Sequence, residues 1–163
     1  LHYLKASHAY YIDFQLPLIR KELVEALDEK DNLARLILKL YDDYAHHPGE
    51  LAVTIDAVKN LGYKRVVVVF QPHTYSRTKA LFEDFVRELQ KPDLVILAEI
   101  YAARERNYEH ISSKDLQARV PGAMYCETLP EVTVALREIA SPGDVILTVG
   151  AGDIYRAGEA LLK

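Results

Sequence analysis

Six consecutive residues, Asp42-Asp43-Tyr44-Ala45-His46-His47, set two carboxylates, a phenol and two imidazoles directly before Pro48, which can open a helix. Adjacent carboxylates raise each other's pKa and call for cations, donors or solvent nearby. Paired imidazoles suggest metal, but side chains of sequence neighbours diverge instead of converging as an i, i+4 pair does, so metal is not expected. A second group, Gln71-Pro72-His73-Thr74-Tyr75-Ser76-Arg77, combines an imidazole and a guanidinium with Ser76 placed to cap a following helix. Such a combination suits a carboxylate or a phosphate. A third, Glu99 to Asn107 (EIYAARERN), has charges that suit a solvated surface loop as well as a site. The last, Gly150-Ala151-Gly152-Asp153, offers two glycines for a sharp turn. They make an anion nest or simply a tightly packed strand-to-helix turn, and the segment is neither G-x-G-x-x-G nor a phosphate loop with its Lys.

Each of these groups follows a short apolar run. Arg65 to Phe70 (RVVVVF), Asp93 to Ala98 (DLVILA) and Asp144 to Val149 (DVILTV) are β-branched and apolar on both faces, as strands buried in a parallel sheet are. Ala123 to Cys126 is a weaker fourth run. Between them, Leu51, Ile55, Val58 and Leu61, then Leu81, Phe82, Phe85, Val86 and Leu89, then Val132, Leu136 and Ile139 recur at helical spacing. Towards the N-terminus, Tyr10 to Leu16 alternates as a half-buried strand, Pro17 opens a helix through roughly Asp28, and Leu33 to Tyr41 reads as another strand. Alternating strand and helix predict an α/β fold: a doubly wound, mostly parallel, Rossmann-like sheet of about five to six strands with helices on both faces. In such sheets ligands bind beyond the carboxyl ends of the strands. There the residues build an anion-recognising cleft from Asp43, Tyr44, His46, His73 and Arg77.

Composition narrows the function classes. The 163 residues are 50% hydrophobic and 27% charged, with 20 Lys+Arg against 24 Asp+Glu and a net charge of -4. A chain of this length buries roughly 70% of its unfolded surface and needs no staple. The apolar run Val66 to Phe70 is five residues long, far short of the roughly 20 that cross a bilayer, so no membrane partner is expected. A single cysteine, Cys126, suits a reducing compartment and a cytoplasmic setting. Mild acidity without a basic cluster argues against nucleic acid.

The segments DDYAHHPGE (Asp42 to Glu50), VFQPHTYSRT (Val69 to Thr78), LAEIYAARE (Leu97 to Glu105) and TVGAGDIYRAGE (Thr148 to Glu159) together resemble the C-terminal domain of the Mur ligases. The likeness is nearest to the branch that adds L-alanine to UDP-N-acetylmuramate, with the ligase that recycles a murein tripeptide a close second. It covers roughly Tyr41 to Lys163. The resemblance implies ATP-dependent ligation in peptidoglycan synthesis: ATP phosphorylates the muramate carboxylate, and the amine of L-alanine displaces phosphate. It also implies that this domain closes over a central ligase domain, with Asp43 on the ATP ribose. Tyr44, His46 and Arg77 would line the alanine and acyl-phosphate pocket, with His73 beside them. A guanidinium at Arg77 would grip the alanine carboxylate as a fork and leave the amine free.

The family's phosphate loop, Mg2+ ligands and UDP-sugar-binding domain are not found in these 163 residues. ATP and Mg2+ are therefore expected to act only with the complete enzyme, and the central and N-terminal ligase domains are the expected partners. Many relatives carry Arg where this chain has Thr74, which removes one cation. Residues 1–40 do not match the motifs and read as a strand-helix-strand segment packed on the same sheet, before a ligase-like domain at 41–163. An exposed edge strand in that segment would favour a homodimer. The chain by itself is expected to lack turnover. The rival expectation is an engineered or chimeric α/β scaffold that retains the loops without ligand function.

Overall fold

In the computed structural model the described residues are 39–161. They form five strands: β1 (Lys39–Asp43), β2 (Arg65–Phe70), β3 (Leu94–Ala98), β4 (Met124–Cys126) and β5 (Asp144–Val149). The helices are α1 (Pro48–Lys59), α2 (Tyr75–Ala80), α3 (Phe82–Leu89), α4 (Ser113–Gln117), α5 (Leu129–Ile139) and α6 (Tyr155–Leu161). All strand pairs are parallel, in the order β1-β5-β2-β3-β4. The expected strand at Tyr10 to Leu16 and the helix after Pro17 lie outside the described residues.

Alternation of side chains along each strand feeds two cores. Val66, Val68 and Phe70 join Leu51, Ile55, Phe85, Leu89 and Leu116 on the face covered by α1, α3 and α4. Val67 and Val69 join Ile96, Val132, Leu136 and Ala157 on the face covered by α5 and α6. Each fully buried Val, Leu or Phe contributes roughly 1.5–3 kcal/mol relative to exposure. This two-sided burial explains why β2, β3 and β5 are apolar at nearly every position.

Two boundaries differ from expectation. Of the strand expected at Leu33 to Tyr41, positions 33–38 lie outside the described residues, and the described strand, Lys39–Asp43, ends two residues later than expected, so Asp42 and Asp43 are strand residues in register with Thr148 and Val149 of β5. Continuous backbone pairing to β5 carries it past its apolar stretch. The helical run expected from Leu81 to Leu89 starts at Phe82. Leu81, at φ -112° and ψ 20°, separates it from the short helix α2. Its side chain packs against the core, which favours a bend over one straight helix.

Strand order also sets the place for a site. After β1, β2 and β3 the chain passes to helices over one face, while after β5 it passes to α6 over the other. The loop after β5 therefore parts company with its neighbours on both sides, the switch point at which sheets of this kind place ligands beyond the carboxyl ends.

Candidate functional site

At the end of β1, Asp43 is buried and accepts the Ala45 N–H at 3.0 Å and the Thr54 hydroxyl. The Asp42 carboxylate accepts the hydroxyl of buried Thr148 on β5. Two adjacent carboxylates are thus each supplied with a donor, as their mutual repulsion requires. Asp43 does not cap α1. That place belongs to His47, whose Nδ1 accepts the Gly49 N–H at 3.2 Å, while Glu50 accepts the N–H groups of His46 and His47 at 2.7 and 3.1 Å. This capping box separates the two histidines by task. His47 holds the helix, and the ring of His46 turns towards the β2 loop.

The rings then form a chain across the strand ends. Centroids are 5.6 Å apart from Tyr44 to His46, 6.0 Å from His46 to His73 and 5.7 Å from His73 to Tyr101, the last pair stacked at 19°. His46 Nδ1 lies 3.1 Å from the Tyr44 carbonyl and 3.4 Å from Glu50 Oε2. Both are acceptors, so Nδ1 carries the proton. Arg77 Nη1 lies 3.3 Å from His73 Nδ1. A guanidinium only donates, so here Nδ1 accepts and Nε2 carries the proton. Burial pushes the His73 pKa below its ordinary value, and the charges of Arg77 and His46 push it further, against a weaker pull from Glu105. His73 is therefore a neutral imidazole at pH 7.

The loop after β3, the third of the candidate groups, supplies residues that were not expected individually at the site. Tyr101 donates its N–H to the Pro72 carbonyl at 2.8 Å and accepts the Thr74 N–H at 2.9 Å, which makes an isolated parallel bridge from His73 to Tyr101. Glu105 accepts the Ser76 hydroxyl at 2.6 Å and the Ser76 N–H at 3.0 Å. These bonds, with lesser ones from Tyr75 N–H and the Thr74 hydroxyl, hold its carboxyl below the usual range. Ser76 is thus not the cap expected of it. Thr74 holds the N-cap position without a side-chain bond to the helix, and the capping oxygens come from Glu105 on another loop. Glu99 ties the same loop down at its base, accepting Ile100 N–H, Ser113 N–H and the Tyr125 hydroxyl. The signal for Tyr101 was positional: it lies three residues past β3, as His73 lies three past β2.

Gly150 and Gly152 act by their lack of a side chain. Gly150 has φ +154°, and a Cβ there would lie 2.7 Å from the Gln71 carbonyl oxygen. A Cβ on Gly152 would lie 2.4 Å from Gln71 Oε1 and 2.7 Å from the Tyr101 ring. Buried Gln71 uses both ends of its amide on Asp153, donating to Oδ1 at 3.2 Å and accepting the N–H at 3.0 Å. Of the two readings of this turn, the contacts support tight packing. Between the start of α2 and the β3 loop, a cleft of about 380 Å³ is lined by Ser76, Arg104, Glu105, Arg106, Tyr108 and Glu109.

The structure thus brings Tyr44, His46, His73 and Arg77 together and leaves Asp43 just behind them, at the end of β1. Among the described residues no three His, Cys, Asp or Glu side chains converge as metal ligands. Among them, too, no helix is long and apolar enough to cross a membrane.

Comparison with known proteins gives this arrangement its context. The chain is 45% identical over 126 residues to the UDP-N-acetylmuramate--L-alanine ligase of Caldanaerobacter subterraneus, a match covering 75% of this chain and 27% of that protein. It is 34% identical over 172 residues to the ligase of the same name from Clostridium tetani, covering 98% of this chain and 38% of that one. Relative to these two relatives, the chain therefore spans between about a quarter and two fifths of their length. The crystal structure of UDP-N-acetylmuramate-alanine ligase from Thermotoga maritima superposes with a TM-score of 0.62 at 27% identity, over 83% of this chain and 27% of that one. The family profile of the Mur ligase, glutamate ligase domain matches residues 24–152, so the likeness begins ahead of Tyr41 and takes in part of the segment that the motifs left apart. With most of its length matched by that profile, the chain belongs to the Mur ligase family, as its C-terminal glutamate ligase domain.

Proposed function

We propose that this chain supplies the amino-acid-positioning surface, and part of the ATP-binding surface, of a ligase that adds L-alanine to UDP-N-acetylmuramate in the cytoplasm. One observation carries the reading. The Arg77 guanidinium is held against a neutral His73, beside His46 and Tyr44, beyond the carboxyl ends of β1 and β2.

In this reading Arg77 binds the alanine carboxylate in a fork, and its contact with the His73 ring sets the direction of that fork. The neutral state of His73 keeps a second positive charge away from the alanine ammonium, which must lose a proton before it can attack. His46 presents an unprotonated Nε2 when neutral, because its Nδ1 proton is engaged by Tyr44. That nitrogen suits an incoming ammonium as a hydrogen-bond acceptor. ATP supplies the phosphoryl group that turns a muramate carboxylate into an electrophile. Asp43, a carboxylate at the end of β1 just behind these side chains, would accept a ribose hydroxyl.

The 163 residues contain no glycine-rich phosphate loop with its Lys, so by themselves they are expected to release no phosphate from ATP in the presence of L-alanine and UDP-N-acetylmuramate. Alanine-dependent release would overturn that statement. The binding claim is tested by amide NMR during L-alanine titration of the chain. Shifts confined to residues 43–47, 71–77 and 99–105 are expected. Saturation without any change in those loops, or no change anywhere, would favour the alternative of a scaffold without ligand function.

A further inference from the structure

Thr74 sits between the two residues of the pair just described, and its backbone is out of the ordinary. At φ 67° and ψ 144° it occupies a region that is close to glycine-only, although threonine is β-branched. The surroundings determine it from three sides. Its N–H donates to the Tyr101 carbonyl at 2.9 Å. Its carbonyl accepts the Thr78 N–H at 3.2 Å and the Thr78 hydroxyl at 2.7 Å, and Thr78 is itself fully buried. Its hydroxyl contributes to the set of bonds at Glu105.

We propose that Thr74 is a positioning residue: its strained backbone, pinned to Tyr101 and Thr78, fixes the directions in which His73 and Arg77 leave the β2 loop and holds the two side chains in contact before any ligand arrives. In the ordinary β or helical conformations Thr74 would turn the following helix relative to His73. The Arg77 guanidinium, one helical turn on, could not then return to the His73 ring. A side chain at residue 74 opposes this conformation and glycine would favour it, so the hold comes from the bonds to Tyr101 and Thr78.

The geometric part of the proposal stands without any ligand, and only its consequence for alanine rests on the function proposed above. Four variants of the full chain test it: Thr74→Gly, Thr74→Ala, Thr74→Ser and Thr78→Val. Alanine normally stabilises relative to glycine. Here the order is expected to reverse, with Thr74→Gly unfolding at higher denaturant concentration than Thr74→Ala, since both lack the hydroxyl and only one is strained. The second readout is the His73 imidazole titration followed by NMR, with Arg77, His46 and Glu105 as the charged or titratable neighbours and Tyr101 stacked on the ring. Its midpoint should stay where it is in Thr74→Gly and Thr74→Ser, and rise towards the ordinary histidine value in Thr78→Val, which takes the hydroxyl from the Thr74 carbonyl. An alanine variant at least as stable as the glycine variant, or a His73 titration unmoved in Thr78→Val, would overturn the proposal. Where the parent chain binds L-alanine, Thr78→Val should bind about tenfold more weakly. A parent that binds no alanine counts against the function and leaves the two geometric readouts intact.

Discussion

Arg77 Nη1 reaches to 3.3 Å from His73 Nδ1, so the side chain best suited to grip a carboxylate is already oriented by a neighbouring ring. The pair stands at the carboxyl end of β2, and its order depends on contacts from the β3 loop. Tyr101 stacks on His73, and Glu105 fastens the start of α2.

The neutrality of His73 has a consequence for stability against pH. Its pKa is lower in the fold than the usual 6.5, so between 6.5 and the lower folded value the unfolded chain binds more protons. Stability should therefore fall as pH is lowered through that window. Denaturant unfolding at pH 7.5 and pH 5 should show the difference, and His73→Gln should make it smaller. An equal loss in the variant would assign the effect to other groups.

Substituting the glycines after β5 should cost stability in a definite order. Gly150→Ala puts a Cβ against a backbone oxygen and strains φ, while Gly152→Ala meets the amide of Gln71 and the ring of Tyr101, which can shift slightly. The overpacking cost is about 1–3 kcal/mol, with Gly150→Ala the larger. Gly152→Ala should in addition disturb the Tyr101 and His73 ring resonances, whereas a tyrosine spectrum identical to the parent's would place the ring elsewhere.

At the opposite end of the sheet, Arg65 makes a two-pronged bond to Asp144, at 3.0 and 2.6 Å, and also donates to the Ile139 carbonyl. Asp144 is 1% exposed. Arg65→Ala should cost about 3 kcal/mol, because it takes the counter-charge from a buried carboxylate and leaves it the Ser141 N–H. Ligand response at the β2 and β3 loops should survive it wherever the variant remains folded. Loss of that response in a folded Arg65→Ala would show coupling along β2.

Replacing Thr54 by Val should destabilise the end of β1 by about 1–3 kcal/mol, since the buried Asp43 carboxylate loses a donor. Chemical denaturation against Thr54→Ser, which keeps the hydroxyl, isolates the bond from the change of volume. Equal losses in both would point to packing instead.

Local pattern revealed the parts of the fold that burial dictates. β2, β3 and β5 are apolar on both faces because helices cover both, and a run such as RVVVVF leaves little else to be. The end of β1 was harder to read, since two carboxylates look like loop until Thr148 and Thr54 arrive from elsewhere to satisfy them. The same limit applies at the site. His73 and Arg77 lie four residues apart and could be read together, but Ser76 and Glu105 are 29 residues apart and meet only through the sheet. Nor does composition announce that Thr74 holds a glycine-like backbone. That strain exists because Tyr101 and Thr78 impose it.

The most direct measurement of the central claim is calorimetric titration of the chain with L-alanine, run beside Arg77→Ala. Removing the fork should weaken binding by about 1.5–3 kcal/mol, which for a weak site means that the heat disappears. Binding by the parent that is lost in the variant is the predicted result. Equal heats in both, or no heat from the parent, would contradict the assignment of Arg77 as the alanine anchor.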